Sequence, residues 1–276
     1  MFTDTEIGNT LRFIRTNKNI SLSTVCQEDM SRSFLSKVER GASKISLDKF
    51  LIVLNRLNVD MEEFLFILRG NKDSEENDYL NEIQSYLHNR DAPALESKLK
   101  QEEENENDFG KIIMTAAYLS IVKKENLPPK YYDKLLDYLF SVDEWGLYEL
   151  RLFANSINCL PVDNLIIHGR EILKNSDHFM SNEKLYIGFI SILLNMIERC
   201  LQCNEIGIAE YFINELRKFP ILEVLVIQNL SFQFFTKYIE YTKDNSLYND
   251  CAETLQLIKD VGLSSLYNDF AIFLNE

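Results

Sequence analysis

The chain has 276 residues, of which 46% are hydrophobic and 26% charged, and its formal net charge is −14. This composition is typical of a globular protein of one or two domains and excludes a disordered or fibrous chain. No apolar run approaches the ~20 residues that cross a bilayer, and the start, MFTDTEIGNT, lacks the basic and apolar segments of a secretory signal. We therefore expect a cytoplasmic protein with no membrane partner.

Residues 1–70 are predicted to form five short helices. Four of the five predicted helix starts have a capping residue, because Ser, Asp and Asn side chains accept hydrogen bonds from the first backbone amides. The predicted caps are Ser21, Ser31, Ser46 and Asp60 for the second to fifth helices. The third helix, SRSFLSKVER, should end at Gly41, which can adopt the left-handed conformation found at helix ends.

The second and third helices and their tight turn are the pattern of a helix-turn-helix. On the third helix, Leu35 and Val38 should face inward, which leaves a short polar and cationic face. Such a face suits the major groove, where Arg and Lys donate to guanine and Ser contacts either base pair, while cations nearby reach phosphates. A solvated helix face is the alternative. The candidate DNA-binding residues are Arg12, Arg15, Ser21, Arg32, Ser33, Ser36, Lys37, Arg40 and Lys44.

The rest of the chain is predicted to be a second, acidic domain. Residues 1–70 contain ten Lys or Arg and nine Asp or Glu, whereas the other 206 residues contain 19 and 34. The polar stretch RGNKDSEEND separates the two, so we place one domain at 1–69, a linker at 70–75 and the second domain at 76–276. This asymmetry in charge indicates two different tasks.

The second domain is predicted to be a right-handed, tetratricopeptide-like solenoid of helical hairpins, which makes the fold all-α. Helical segments alternate with short breaks, and successive pairs begin 36 to 39 residues apart, a period typical of helical repeats. An irregular all-α bundle is the alternative. The predicted segments are 76–89, 92–105, 108–124, 129–140, 144–158, 162–175, 182–202, 205–218, 221–241, 246–259 and 263–275.

The sequence offers little for catalysis. It contains no GxxxxGK[ST], GxGxxG, GxSxG or HExxH motif, and its five cysteines are scattered. Cys200 and Cys203 form one CxxC pair with no second pair or nearby histidine, which we interpret as structural thiols. We therefore expect no enzyme, no metal site and no cofactor.

The stretch SRSFLSKVERGASKISLDKFLIVLNRLNVDMEEF resembles the Cro/repressor-type (XRE) helix-turn-helix family, over about residues 7–68. One such head followed by helical hairpins resembles the Rgg/GadR/MutR regulators, a branch of the peptide-pheromone receptors. The resemblance implies a homodimeric transcription regulator that binds double-stranded DNA. It further implies a short intracellular signalling peptide, a quorum-sensing pheromone, bound on the concave face of the repeats.

The residues are compatible with such a peptide site. An asparagine side chain can donate to and accept from a buried peptide backbone, and an arginine can pair with a carboxylate. The asparagines among the candidates could equally be exposed surface residues, and the phenylalanines could be core residues. A regulator without a peptide ligand and a scaffold for a protein partner remain the alternative functions. The candidate peptide-binding residues are Tyr118, Arg151, Asn155, Phe189, Asn195, Asn229 and Phe232.

Overall fold

The structure is a computed structural model that describes residues 2–72, 75–105 and 108–274. Within these ranges every regular element is a helix, and no strand is present. The all-α prediction is therefore confirmed. The chain divides into two compact units, Met1–Glu82 and Ile83–Glu276, which we call the head and the repeat unit and describe separately.

The head contains five short helices around one apolar core, as the sequence predicted. The core is formed by side chains from all five helices, with Leu11, Val25, Leu35, Leu57 and Phe64 each at most 2% exposed. The helices are α1 (Asp4–Asn17), α2 (Leu22–Cys26), α3 (Arg32–Glu39), α4 (Leu47–Leu57) and α5 (Met61–Leu68).

Two glycines allow α1 to approach α3 closely. A Cβ added to Gly8 would lie 2.1 Å from the carbonyl oxygen of Val38, so the two helices could not pack at this distance with any larger residue. Gly41 has φ +70° and a Cβ there would lie 2.6 Å from Thr5 Cα. The amides of Gly41 and Ala42 donate to the carbonyls of Val38 and Lys37, which is the Schellman ending of a helix.

The repeat unit is built from helices packed in two layers, and it begins within α6 (Glu75–His88). Helices α8, α10, α13 and α15 pack side by side as an inner layer, and α7, α14 and α16 pack against them. The remaining helices are α7 (Ala92–Asn105), α8 (Phe109–Lys123), α9 (Pro129–Ser141), α10 (Leu147–Ser156), α11 (Val162–Lys174), α12 (Ser176–Met180), α13 (Glu183–Gln202), α14 (Ile206–Leu216), α15 (Val226–Lys243), α16 (Tyr248–Asp260) and α17 (Ser264–Ala271).

The predicted segments match these helices except at a few ends. The segment 144–158 ends in a 3-10 turn, Ile157–Cys159. The helix predicted from residue 221 begins only at Val226, because the chain between Pro220 and Leu225 forms a loop. A short helix, α12, fills a gap where no helix was predicted.

Helix α13 is the core helix of the repeat unit. By length and composition alone it is apolar enough to cross a membrane, so the expectation that no segment would meet that test is wrong. However, 56% of its most apolar stretch is buried inside the fold, with Phe189, Leu193 and Ile197 fully covered. Burial against other helices accounts for its hydropathy.

His168 on α11 is enclosed by aromatic rings. It is 2% exposed, and its ring lies 4.7 Å from Phe140, 5.2 Å from Phe153 and 5.7 Å from Trp145, measured between centroids. Its Nε2 has no hydrogen-bond partner in the described chain. Burial lowers the pKa of His168 from 6.5 to about 4, since an imidazolium would lose its hydration here.

Acid should therefore destabilise the repeat unit through His168. A lowered pKa in the folded state gives stability that is present above the ordinary pKa and is lost as the pH falls toward the folded value. The shift corresponds to about 3 kcal/mol. Between pH 6.5 and about 4 we expect the free energy of unfolding to fall more steeply for the wild type than for His168→Phe. Fluorescence of the sole tryptophan, Trp145, follows the unfolding. Parallel curves for the two proteins would contradict this assignment.

Candidate functional site

Helix α3 presents a polar side to solvent. Ser31 begins it, with Oγ accepting from the Phe34 amide at 3.1 Å. Leu35 and Val38 are buried in the head core. On the opposite side Arg32, Ser33 and Lys37 are exposed, while Ser36 is partly buried.

Arg15 does not lie on this surface, which corrects its prediction as a phosphate contact. Its Nε and Nη2 donate to the two carboxylate oxygens of Glu39 at 2.6 and 2.8 Å, and its Nη1 donates to the Ile20 carbonyl at 2.9 Å. The Arg15 and Glu39 side chains are 12% and 5% exposed. The hydrogen bonds that Arg15 donates to Glu39 raise the pKa of Arg15 above its ordinary value. The pair ties α1 to the end of α3, so Glu39 has a structural role in the head.

Two more cations are used inside the head, and the sequence analysis missed both. Arg56 on α4 donates to the carbonyls of Val25 and Cys26 at 2.6 and 2.8 Å and pairs with Asp29. It thereby joins α4 to the end of α2 and to the turn before α3. Lys18 donates to the Leu57 and Asn58 carbonyls at 3.0 and 2.9 Å. These contacts join residues about 30 to 40 positions apart, so no local signal could have revealed them.

The remaining predicted cations are exposed. None of them pairs with a carboxylate in the described part of the head, although Arg40 Nε donates to the Ser36 carbonyl at 3.1 Å. Ser21 is exposed, but its Oγ accepts from the Thr24 amide at 3.1 Å as the cap of α2. Lys49, which was not predicted, lies 5.0 Å from the ring centroid of Phe34 on α3. The exposed set is Arg12, Arg32, Lys37, Arg40 and Lys44.

In the repeat unit, the predicted residues on α8 and α10 form one hydrogen-bonded group. The Tyr118 hydroxyl donates to Asn155 Oδ1, and Asn155 Nδ2 donates to the Arg151 carbonyl at 2.7 Å. Tyr118 is 5% exposed, and burial raises its pKa. Arg151 and Asn155 are half-buried, so they remain within reach of a ligand.

An apolar pocket of about 120 Å³ lies between α13, α15 and α17. Of the predicted residues, only Asn195 lines it, and Asn195 is exposed. Gln228, whose Nε2 donates to Ser191 Oγ at 3.2 Å, lines it instead of the predicted Asn229. The lining residues are Ser191, Leu194, Asn195, Glu198, Ile227, Gln228, Ser231, Phe235, Leu266 and Phe270.

Three predicted peptide-binding residues lie outside this pocket, and the complete burial of Phe189 corrects its prediction. Phe189 is fully buried and packs on Phe179 and Phe219 at 5.5 and 5.0 Å between centroids. Asn229 Nδ2 donates to the Leu222 carbonyl at 3.1 Å, which holds the loop before α15. Phe232 is half-buried and does not line the pocket. On α15 the pocket is lined by residues 227, 228, 231 and 235, which lie beside the predicted residues 229 and 232.

A polar cavity of about 650 Å³ shares Glu198 with the apolar pocket. It lies at the ends of α6, α8 and α13 and is bounded on another side by α17. Its polar lining side chains are Gln84, His88, Arg90, Lys124, Asn158, Glu198, Gln202, Ser265 and Asp269.

The thiols of the CxxC pair are uncrosslinked. Cys200 is fully buried and Cys203 half-buried. Burial raises the pKa of Cys200 to about 12. Because metal binding and thiol exchange require a thiolate, these values favour the structural interpretation.

A helix-turn-helix head with an exposed cationic helix, followed by a layered helical repeat unit, defines a DNA-binding transcription regulator. Residues 94–272 match the C-terminal domain of the HTH-type transcriptional regulator Rgg, and residues 11–64 match a helix-turn-helix family. The chain belongs to the Rgg family of transcriptional regulators.

Solved structures share the fold over nearly the whole chain. The SHP pheromone receptor Rgg2 of Streptococcus dysgalactiae is 23% identical, with 96% of this chain and 97% of that chain covered and a TM-score of 0.79. A proposed transcriptional regulator from Listeria monocytogenes EGD-e is 18% identical, with 98% and 96% covered and a TM-score of 0.83. PrgX in complex with cCF10 is 16% identical, with 98% and 91% covered and a TM-score of 0.73. The family and the fold are those of regulators rather than enzymes.

Replacing Arg15 by alanine should destabilise the head by about 3 kcal/mol, because the buried Glu39 carboxylate would lose its counter-charge. Hydrogen exchange of the α3 amides in the full chain measures this change. Arg12→Ala is the matched control on the same helix, since Arg12 is exposed and its loss should change stability by no more than about 0.5 kcal/mol. Equal effects of the two substitutions would show that the Arg15–Glu39 pair does not hold the head together.

Proposed function

We propose that this protein is a sequence-specific DNA-binding regulator whose activity is controlled by a short signalling peptide bound in the repeat unit. The observation that carries the DNA-binding part is the cationic side of α3, where Arg32 and Lys37 are exposed beside two serines. An α-helix of this size fits the major groove, and these side chain types read base edges there.

The roles of the head residues follow from their positions. Arg32, Ser33, Ser36 and Lys37 would contact bases from α3. Arg12, Arg40 and Lys44 would contact phosphates on either side, and Lys49 beside Phe34 adds a further cation. Phosphate contacts position the head and base contacts select the sequence.

A homodimer is the assembly we propose for DNA binding. One α3 reads only one short segment of a groove, so two heads are needed for a specific operator. Their half-sites would lie about 34 Å, or one helical turn, apart. The strongly acidic repeat unit would weaken nonspecific attraction to phosphate. Such a regulator works in the cytoplasm, where the DNA is.

The peptide part rests on the groove side of the inner helices. Tyr118, Arg151 and Asn155 on one side and the Asn195 pocket on the other combine amide groups with apolar surface. Rgg2 is a pheromone receptor and PrgX forms a complex with cCF10, and both share this fold. We assign residues 1–69 to DNA binding, 70–75 to a linker and 76–276 to peptide binding and dimerisation.

The DNA interface can be tested with operators selected by the wild type from a random duplex pool. The double substitution Arg32→Ala and Lys37→Ala should weaken specific binding by about 100-fold, because each base contact contributes roughly 1–3 kcal/mol of discrimination. Fluorescence anisotropy at fixed salt measures the affinity. Arg217→Ala, an exposed cation of the repeat unit, is the control and should leave it unchanged. Undiminished binding by the double variant would reject α3 as the recognition helix.

The peptide site can be tested with a pool of short synthetic peptides. Asn195→Ala should weaken the affinity for the peptides that the wild type retains by about tenfold, because a buried peptide group would lose its hydrogen-bond partner. The affinity for DNA in the absence of peptide should stay unchanged. Asn249→Ala, exposed on α16, is the control. If peptides bind the wild type and the Asn195 variant equally, the groove assignment fails.

A further inference from the structure

Glu198 on α13 lines both the apolar pocket and the polar cavity. Glu198 is half-buried, and one of its carboxylate oxygens accepts from Gln202 Nε2 at 3.1 Å. The other oxygen has no partner in the described chain, and no lysine or arginine there lies within ion-pair distance of the carboxylate. A carboxylate that is partly removed from water and has no counter-charge is unfavourable, and a cationic ligand group would supply that counter-charge.

A second carboxylate faces the same space. Asp269 projects from α17, and its charge adds to burial in raising the pKa of Glu198 to about 7. Burial likewise raises the pKa of Asp269, although His88 opposes this. Two carboxylates on separate helices therefore share one cavity, and each disfavours ionisation of the other.

The other charged groups around the cavity have a different task. Arg90 and Lys124 are the left-handed residues that end α6 and α8, and Arg199 follows Glu198 near the end of α13. Cations at these places balance the partial negative charge of helix C-termini. None of them forms an ion pair with Glu198 or Asp269 in the described chain, so the carboxylates remain available to a ligand.

We propose that Glu198, together with Asp269 across the cavity, binds a positively charged group of the ligand peptide. The group is an ammonium or guanidinium, supplied by a basic side chain or by the amino terminus of the peptide. The proposal rests on the peptide-binding function proposed above and makes Glu198 a specificity-determining residue of that site. A cavity of about 650 Å³ lies within the usual range of ligand sites, about 300–1,000 Å³. The peptide body would continue from it into the apolar pocket that Glu198 also lines.

The test uses the purified full chain and synthetic peptides randomised among apolar residues. One position carries either lysine or norleucine, which have similar length, and each peptide is made with a free and an acetylated amino terminus. Peptides retained by the protein are counted by mass spectrometry. We expect the wild type to prefer cation-bearing peptides over acetylated norleucine peptides by about tenfold, as for a partly buried charge pair.

Three variants test whether the carboxylates alone cause the preference for cationic peptides, independently of peptide binding in general. Glu198→Gln should remove the preference while neutral peptides are still retained, and Asp269→Asn should reduce it. Glu183→Gln, exposed at the other end of α13, should keep it. If Glu198→Gln proves unstable by thermal unfolding, Asp269→Asn carries the test.

Each outcome decides a different point. A preference for lysine in acetylated peptides supports a side-chain cation, and a preference for any free amino terminus supports the peptide end. Equal retention of cationic and neutral peptides by the wild type overturns the subsite and leaves peptide binding intact. Retention of no peptide in either form overturns the proposed peptide function and this inference with it.

Discussion

The bidentate pair between Arg15 and Glu39 fixes the orientation of α3 in the head. Both charges are nearly buried, so either one alone would be strongly unfavourable. Gly8 brings α1 to within contact of the α3 backbone, and the ion pair holds the two helices in that register. The polar side of α3 can face outward only because its other side is secured in this way.

The same constraint decides which cations are available to DNA. Of the ten Lys and Arg residues among residues 1–70, Arg15, Lys18 and Arg56 bind protein groups, and each closes a contact between distant helices. Cations that stabilise the head are thus separated from those that lie on its surface. The near-neutral net charge of residues 1–70 therefore conceals an uneven distribution, with the exposed positive charge concentrated around α3.

Local signals in the sequence identified the helices well and the contacts between them less well. Ser31 and Gly41 mark the ends of α3 because capping and left-handed residues act on their own neighbours. The Arg15–Glu39 pair spans 24 positions, and an arginine on a surface-type helix gives no sign that its partner lies on another helix. On α15, helical periodicity located the helix but did not single out Gln228 and Ser231, which line the apolar pocket. Each of them lies one residue before a predicted position, and adjacent helical residues point about 100° apart.

Phe189 shows why burial was misjudged on α13. In a layered repeat unit an inner helix has neighbours on three sides, since α10 and α15 flank α13 and α14 lies behind it. Only a narrow strip of such a helix, including Ser191, Asn195 and Glu198, lines the apolar pocket, and these residues follow one another at spacings of four and three. A ligand can shift a protein between states only through interactions that differ between those states. Contacts with this strip act on α13, which packs against α10, α11, α12, α14 and α15, whereas contacts with an outer helix such as α7 would act on fewer neighbours.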